Sequence, residues 1–159
     1  MDVVSPAAIN LDFQTGIAAD TLLFGSVRHA WYDDTILSPE YFDSVVGIGT
    51  EGDSITDIDS TWAVNLGIGR RFSNSFSGSV AFGLEPGIDD LVSPLSPMDG
   101  NRSISIGGQY TMGDVILSGG LQYTIPDDAR PETGTPDVAR ADFADNDAVA
   151  VGVSSAYRF

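Results

Sequence analysis

The chain has no cysteine and only one histidine among its 159 residues. Without cysteine there is no disulfide framework, and with a single histidine the familiar metal clusters and nucleophile–base pairs cannot be assembled. A chain without cysteine suits an oxidising periplasm and the cytosol alike. No run approaches the roughly 18 apolar residues that a membrane helix needs. That excludes a helical span but not a barrel, whose strands alternate and average out. Basic residues are scarce: 7 against 23 acidic ones, a formal net charge of −16. Such acidity argues against a nucleic-acid partner and suits a solvated exterior. Met1-Asp2-Val3-Val4 offers neither the basic start nor the apolar core of a signal peptide. The length fits one domain.

What the chain does have is alternation, clearest in its last twelve residues, Ala148 to Phe159. Val149, Val151, Val153, Tyr157 and Phe159 fall on one strand face. Ala148, Ala150, Gly152, Ser154 and Arg158 fall on the other. Ending on aromatics of one strand face is expected of a barrel's closing strand, with its rings at a membrane interface.

Six further segments share this pattern, giving strands at about 8–18, 21–32, 61–72, 75–85, 101–112, 115–125 and 148–159. Ile9, Leu11, Phe13 and Ile17 oppose Asn10, Asp12, Gln14 and Gly16 in the first. Trp62, Val64, Leu66 and Ile68 oppose Ala63, Asn65, Gly67, Gly69 and Arg71 in the third. Connections alternate short and long. Strands of about 10 to 12 residues cross a bilayer when tilted, and outer-membrane barrels pair short periplasmic turns with long external loops. Strands of a soluble sandwich are nearer 5 or 6 residues. A soluble lipocalin-like barrel remains the alternative. Against it, the less apolar face carries Gly, Ser, Ala, Asn and Gln rather than the charges that meet open water.

Charge and aromatics sort with the connections. Asp33, Asp34, Glu40, Asp43, Glu51, Asp53, Asp57 and Asp59 crowd the first long loop, with Asp89, Asp90 and Asp99 in the second. Asp127, Asp128, Glu132, Asp137, Asp142, Asp145 and Asp147 fill the third. Trp31, Tyr32, Trp62 and Tyr123 lie near the long loops; Phe72, Phe76, Tyr110, Tyr157 and Phe159 lie near the turns. These form two interface girdles. The expected class is therefore all-β, an antiparallel up-and-down transmembrane β-barrel in the bacterial outer membrane, multi-pass, with its C-terminus periplasmic.

Seven strands are an odd number, whereas a closed bacterial barrel needs an even one. The expectation is that Met1 begins in or just after an external loop of a longer protein. Expressed alone, the chain is expected to aggregate through its two open edges. An eighth strand hidden at Tyr41 to Gly49 is the competing reading, though one insertion there breaks the up-down parity.

Three stretches carry a family resemblance: Asn10 to Arg28 (N-L-D-F-Q-T-G-I-A-A-D-T-L-L-F-G-S-V-R), Trp62 to Phe72 (W-A-V-N-L-G-I-G-R-R-F) and Ser93 to Gly107 (S-P-L-S-P-M-D-G-N-R-S-I-S-I-G). With the terminal S-A-Y-R-F, they resemble the C-terminal half of the FadL/TodX family of outer-membrane transporters for long-chain fatty acids and other hydrophobic compounds. The resemblance implies a fourteen-stranded barrel plugged by an N-terminal hatch, of which residues 1–159 would be the second half of the barrel. It implies passive uptake: capture of a hydrophobic ligand among external loops, passage to a luminal pocket, and sideways exit through the wall. It also implies contact with lipopolysaccharide and with the barrel assembly machinery through the C-terminal strand. Hatch and capture groove belong to the other half, so no binding residue is carried over. A porin-like or structural barrel and a soluble ligand-binding β-barrel remain alternatives. An outer-membrane phospholipase is more distant, for want of a Ser/His pair.

The lumen-facing register nominates Arg28, Asn65, Gln109 and Gln122 as substrate-binding residues. Arg28, Arg71 and Arg158 are the cations there; Arg28 sits highest toward the outside and is the candidate for a carboxylate ligand. Because buried charges need partners, pairing with lumen carboxylates such as Asp12 and Glu85, or with the missing hatch, is the expected resting state. His29 falls beside Trp31 on the apolar register, as an interfacial residue rather than a base. Trp31, Trp62, Tyr123, Tyr157 and Phe159 are the interface aromatics. No cofactor or catalytic group is expected. The acidic loops are the one place for structural Ca²⁺, but neither Asp89-Asp90-Leu91-Val92 nor Asp145-Asn146-Asp147-Ala148 has calcium-loop spacing. Gly107-Gly108 and Gly119-Gly120 lie mid-strand with no helix following, so they are not phosphate loops.

Overall fold

Period-two alternation commits each segment to a strand with two unlike faces, and the computed structural model pairs those strands in chain order. It describes residues 5–32, 35, 58–87, 91–92, 98–131, 139 and 141–159. Seven long strands form one sheet: β1 (Ala7–Ala18), β2 (Thr21–Trp31), β3 (Thr61–Arg71), β4 (Phe76–Glu85), β6 (Asn101–Met112), β7 (Val115–Pro126) and β9 (Ala148–Tyr157). Each pairs antiparallel with its neighbours, in the order β1-β2-β3-β4-β6-β7-β9. Between them fall two-residue strands, β5 (Leu91–Val92) and β8 (Arg130–Pro131), which pair in parallel and join the second and third long connections.

Turn chemistry fixes the hairpins. Gly113 has φ 59° at the first of the two positions between Met112 and Val115, as a II′ turn requires, and glycine adopts it without cost. Asp20 takes φ 57° in the β1–β2 turn. Between β3 and β4 the Ser73 Oγ accepts the N–H groups of Ser75 (3.2 Å) and Phe76 (3.0 Å), so the strand resumes at Phe76. Neighbouring hairpins are stitched at this turn end: Arg71 N–H donates to Asp20 O at 2.9 Å, and Arg158 N–H to Asp114 O at 2.9 Å.

The register carries the face assignment across the sheet. On one face lies the row Leu11, Val27, Val64, Leu84, each residue directly opposite the next. On the other, Ser26 meets Asn65, Asn65 meets Gly83, and Gly83 meets Ser103. A soluble domain would bury the first face under a second layer. Among the described residues there is none: Leu11 is 66%, Phe82 60% and Val151 71% exposed. Among the described residues the only buried apolar side chains are Ala30, Ala129 and Pro131. β1 and β9 form the two edges and are exposed along their whole length. The described strands therefore make an open antiparallel sheet of the seven strands the alternation predicts, with two free edges and no closure into a barrel among them. The segment Tyr41 to Gly49 lies outside the described residues.

Candidate functional site

The polar face carries a cavity of about 820 Å³ near the turn end, formed by β1–β4, β6 and β7. Its floor is backbone and small side chains, because Gly69, Ser79 and Gly107 stand opposite one another on three adjacent strands. Leu22 and Phe24 give it an apolar flank; Asp20, Arg71 and Gln109 give it polar groups. The Phe24 ring lies across Gly67, where no Cβ competes for the space, and reaches to 3.8 Å from the Cβ position of Gly69. The apolar face uses the same device at Gly25, whose Cβ would stand 2.7 Å from the Phe13 ring.

The four nominated polar residues share this face but do not converge. Gln109 alone lines the cavity, between Ser77 and Ser118. Asn65 sits mid-sheet. Gln122 lies between Ser105 and Ala150 and donates from Nε2 to Thr124 Oγ1 at 3.1 Å. Arg28 lies toward the long connections, where its guanidinium donates to Asn10 Oδ1 at 3.0 Å.

Arg28 and Arg71 find partners other than Asp12 and Glu85. Arg71 pairs with Asp20, since the β2–β3 register sets Arg70 against Thr21 and so brings the next residue to the β1–β2 turn. Glu85 accepts from Asn101 Nδ2 at 3.0 Å, its cross-strand neighbour. Arg102, on the apolar register, reaches Asp127 at 2.8 Å. The Arg71–Asp20 pair is open to solvent on both sides, 64% and 45% exposed. Asp20→Asn, which keeps a residue tolerant of the left-handed turn and removes only the charge, is therefore expected to cost under about 1 kcal/mol in a denaturant titration.

The aromatics also divide by end. His29 is only 9% exposed. Its ring stacks on Trp62 at 4.1 Å and meets the edge of Trp31 at 4.3 Å, while Nδ1 bonds Thr61 O at 2.9 Å. Alternation places Trp31 beside it, and the cross-strand pair His29–Trp62 completes the sandwich. Tyr123 donates to Asp147 at 2.9 Å, fixing the end of the third connection to β7. At the turn end Phe72 stacks on Phe76 at 5.4 Å, Tyr157 faces Val115, and Phe159 is fully exposed.

Among the described residues no three carboxylate or histidine side chains gather into a metal-holding group. Asp33, Asp34, Glu40, Asp43, Glu51, Asp53, Asp57, Asp89, Asp90, Glu132 and Asp137 lie outside the described residues. Among the described residues no helix is long and apolar enough to cross a membrane, which has no bearing on strands.

Fold and site together define an all-β protein built on one seven-stranded up-and-down antiparallel sheet, apolar on one face and small and polar on the other. No family model, no curated protein and no solved structure matches the chain.

Proposed function

We propose that this chain is part of the wall of an outer-membrane β-barrel that passes hydrophobic compounds, long-chain fatty acids among them. One observation carries the membrane part: an apolar face exposed on six of the seven long strands and half-buried on β2, with no layer over it among the described residues. Lipid is the solvent in which such a face costs nothing. Dimensions agree. The eleven residues of β3 rise about 36 Å, and a tilt of about 40° projects that to about 28 Å, against a hydrocarbon core of about 30 Å. Aromatics at both ends suit the two interfaces.

The choice of cargo rests on the FadL/TodX resemblance of the three quoted stretches and on Leu22 and Phe24 at the cavity. The Ser, Thr and Gln lining of the cavity favours a second reading, a diffusion pore for polar solutes. In cells carrying the gene, its disruption is expected to lower uptake of a labelled long-chain fatty acid several-fold while sugar permeation stays unchanged. Loss of sugar permeation with fatty-acid uptake intact would select the pore instead.

A further inference from the structure

Two arginines of the sheet fall on the apolar register, one at each end. Arg102, between Leu84 and Ile125, lies at the long-connection end and pairs with Asp127. Arg70 continues the series Trp62, Val64, Leu66 and Ile68 at the turn end of β3, with Thr21 and Gly78 beside it. It is exposed, and among the described residues its guanidinium has no hydrogen-bond or ion-pair partner. The side-chain carboxylates at that end, among the described residues, are Asp20 and Asp114. Asp20 is held by Arg71. Asp114 lies in the β6–β7 turn, at least two strand widths, about 10 Å, from β3.

The surface beside Arg70 is aromatic, then aliphatic. Phe72 approaches to 3.3 Å from the Cβ position of Gly78 and Phe76 to 3.6 Å from that of Gly108, and the two rings stack at 5.4 Å. One row nearer the middle of the strands, Ile68 stands opposite Val80. Cation, rings and aliphatic side chains thus follow in the order of a lipid's phosphate, glycerol region and acyl chains.

We propose that this patch seats one anionic phospholipid of the leaflet at the turn end, its phosphate on Arg70 and its chains along Phe72, Phe76, Ile68 and Val80. The inference rests on the membrane reading above. Charge selects the lipid. A zwitterionic headgroup brings its own ammonium to the phosphate, whereas an anionic headgroup leaves the phosphate uncompensated, and a guanidinium fork matches two of its oxygens. At the other end Asp127 already answers Arg102, so the selectivity belongs to the turn end alone. Arg70 also borders the cavity of the polar face, which makes an anion held there the competing occupant.

Photolabelling of the full natural protein in mixed vesicles tests this. The probes are phosphatidylglycerol and phosphatidylcholine, each carrying a diazirine near the glycerol backbone, and the labelled peptides spanning residues 70–78 are quantified. Phosphatidylglycerol is expected to label them in preference. Arg70→Gln is expected to cut that preference about fivefold, the effect of one arginine at an anionic surface. Arg70→Lys keeps the charge and is expected to keep most of the preference; Arg71→Gln, on the opposite face, is expected to leave it unchanged. Equal labelling by the two lipids, an undiminished preference in Arg70→Gln, or an equal loss in Arg70→Lys would overturn the proposal. So would an equal loss in Arg71→Gln, which places the anion in the cavity instead. Flotation reads the membrane assignment separately: a floating protein without the preference sinks only the lipid site, and a protein that stays at the bottom of the gradient sinks both.

Discussion

Leu121→Arg is expected to lower the folded-to-unfolded ratio in lipid vesicles roughly 30- to 700-fold, while Gln122→Arg, one residue along, leaves it within a few-fold. Leu121 is central in β7, on the apolar face between Ile106 and Val151. An arginine facing lipid at mid-membrane costs about 2–4 kcal/mol, which at about 1.4 kcal/mol per decade gives that range. Gln122 faces the other way, between Ser105 and Ala150, where a charge meets water. Leu121 is already 42% exposed. If that face met water, the arginine would cost no more than about 0.5 kcal/mol and the two variants would behave alike. A denaturant titration of each variant of the full natural protein in vesicles makes the comparison, and equal midpoints would remove the membrane from the account.

Gly67→Val is expected to destabilise the protein by about 1–3 kcal/mol, the usual range for overpacking. The added carbons must occupy the space held by the Phe24 ring and the Ala81 methyl, both already in contact with the position a Cβ would take. Gly152 is the control: nothing stands within 4 Å of its Cβ position, so Gly152→Ala is expected to be neutral. Removing the ring should relieve the clash. The double variant Phe24→Ala with Gly67→Val is expected to be more stable than the two single effects sum to, by about 0.5–3 kcal/mol of coupling. Strict additivity would mean that Phe24 does not lie where the structure puts it.

The strands were readable because alternation over ten or more residues leaves little freedom. β6 spans Asn101–Met112 as the pattern predicts, and β1 and β7 each differ from expectation by one residue at one end. Their order follows from the short turns. Side-chain relations that depend on cross-strand register were not readable. Nothing in the sequence near Arg71 names Asp20 as its partner; only the β2–β3 register does. Phe24 was passed over because it falls on the polar register of β2. The run Leu22-Leu23-Phe24, apolar on both faces, was the available signal that this stretch of the polar face is different. The candidate site shifted for the same reason. Position along the chain favours Arg28 at the long-connection end, whereas small residues aligned across three strands open the cavity at the turn end. β5 and β8 gave no periodicity to find, being two residues each and paired in parallel across nearly forty positions of sequence.

That short parallel pair has a consequence for anyone grafting loops onto this scaffold. Leu91 and Val92 bond across to Arg130 and Pro131, and Ala129 closes an antiparallel bridge with Phe143. The second and third connections are thus tied by their backbones at Leu91–Val92 and Arg130–Pro131, with the buried Ala129 beside the join. Replacing either alone with a foreign sequence strips the other of its backbone partners. The unit of exchange is the pair, and a chimera should carry both or neither.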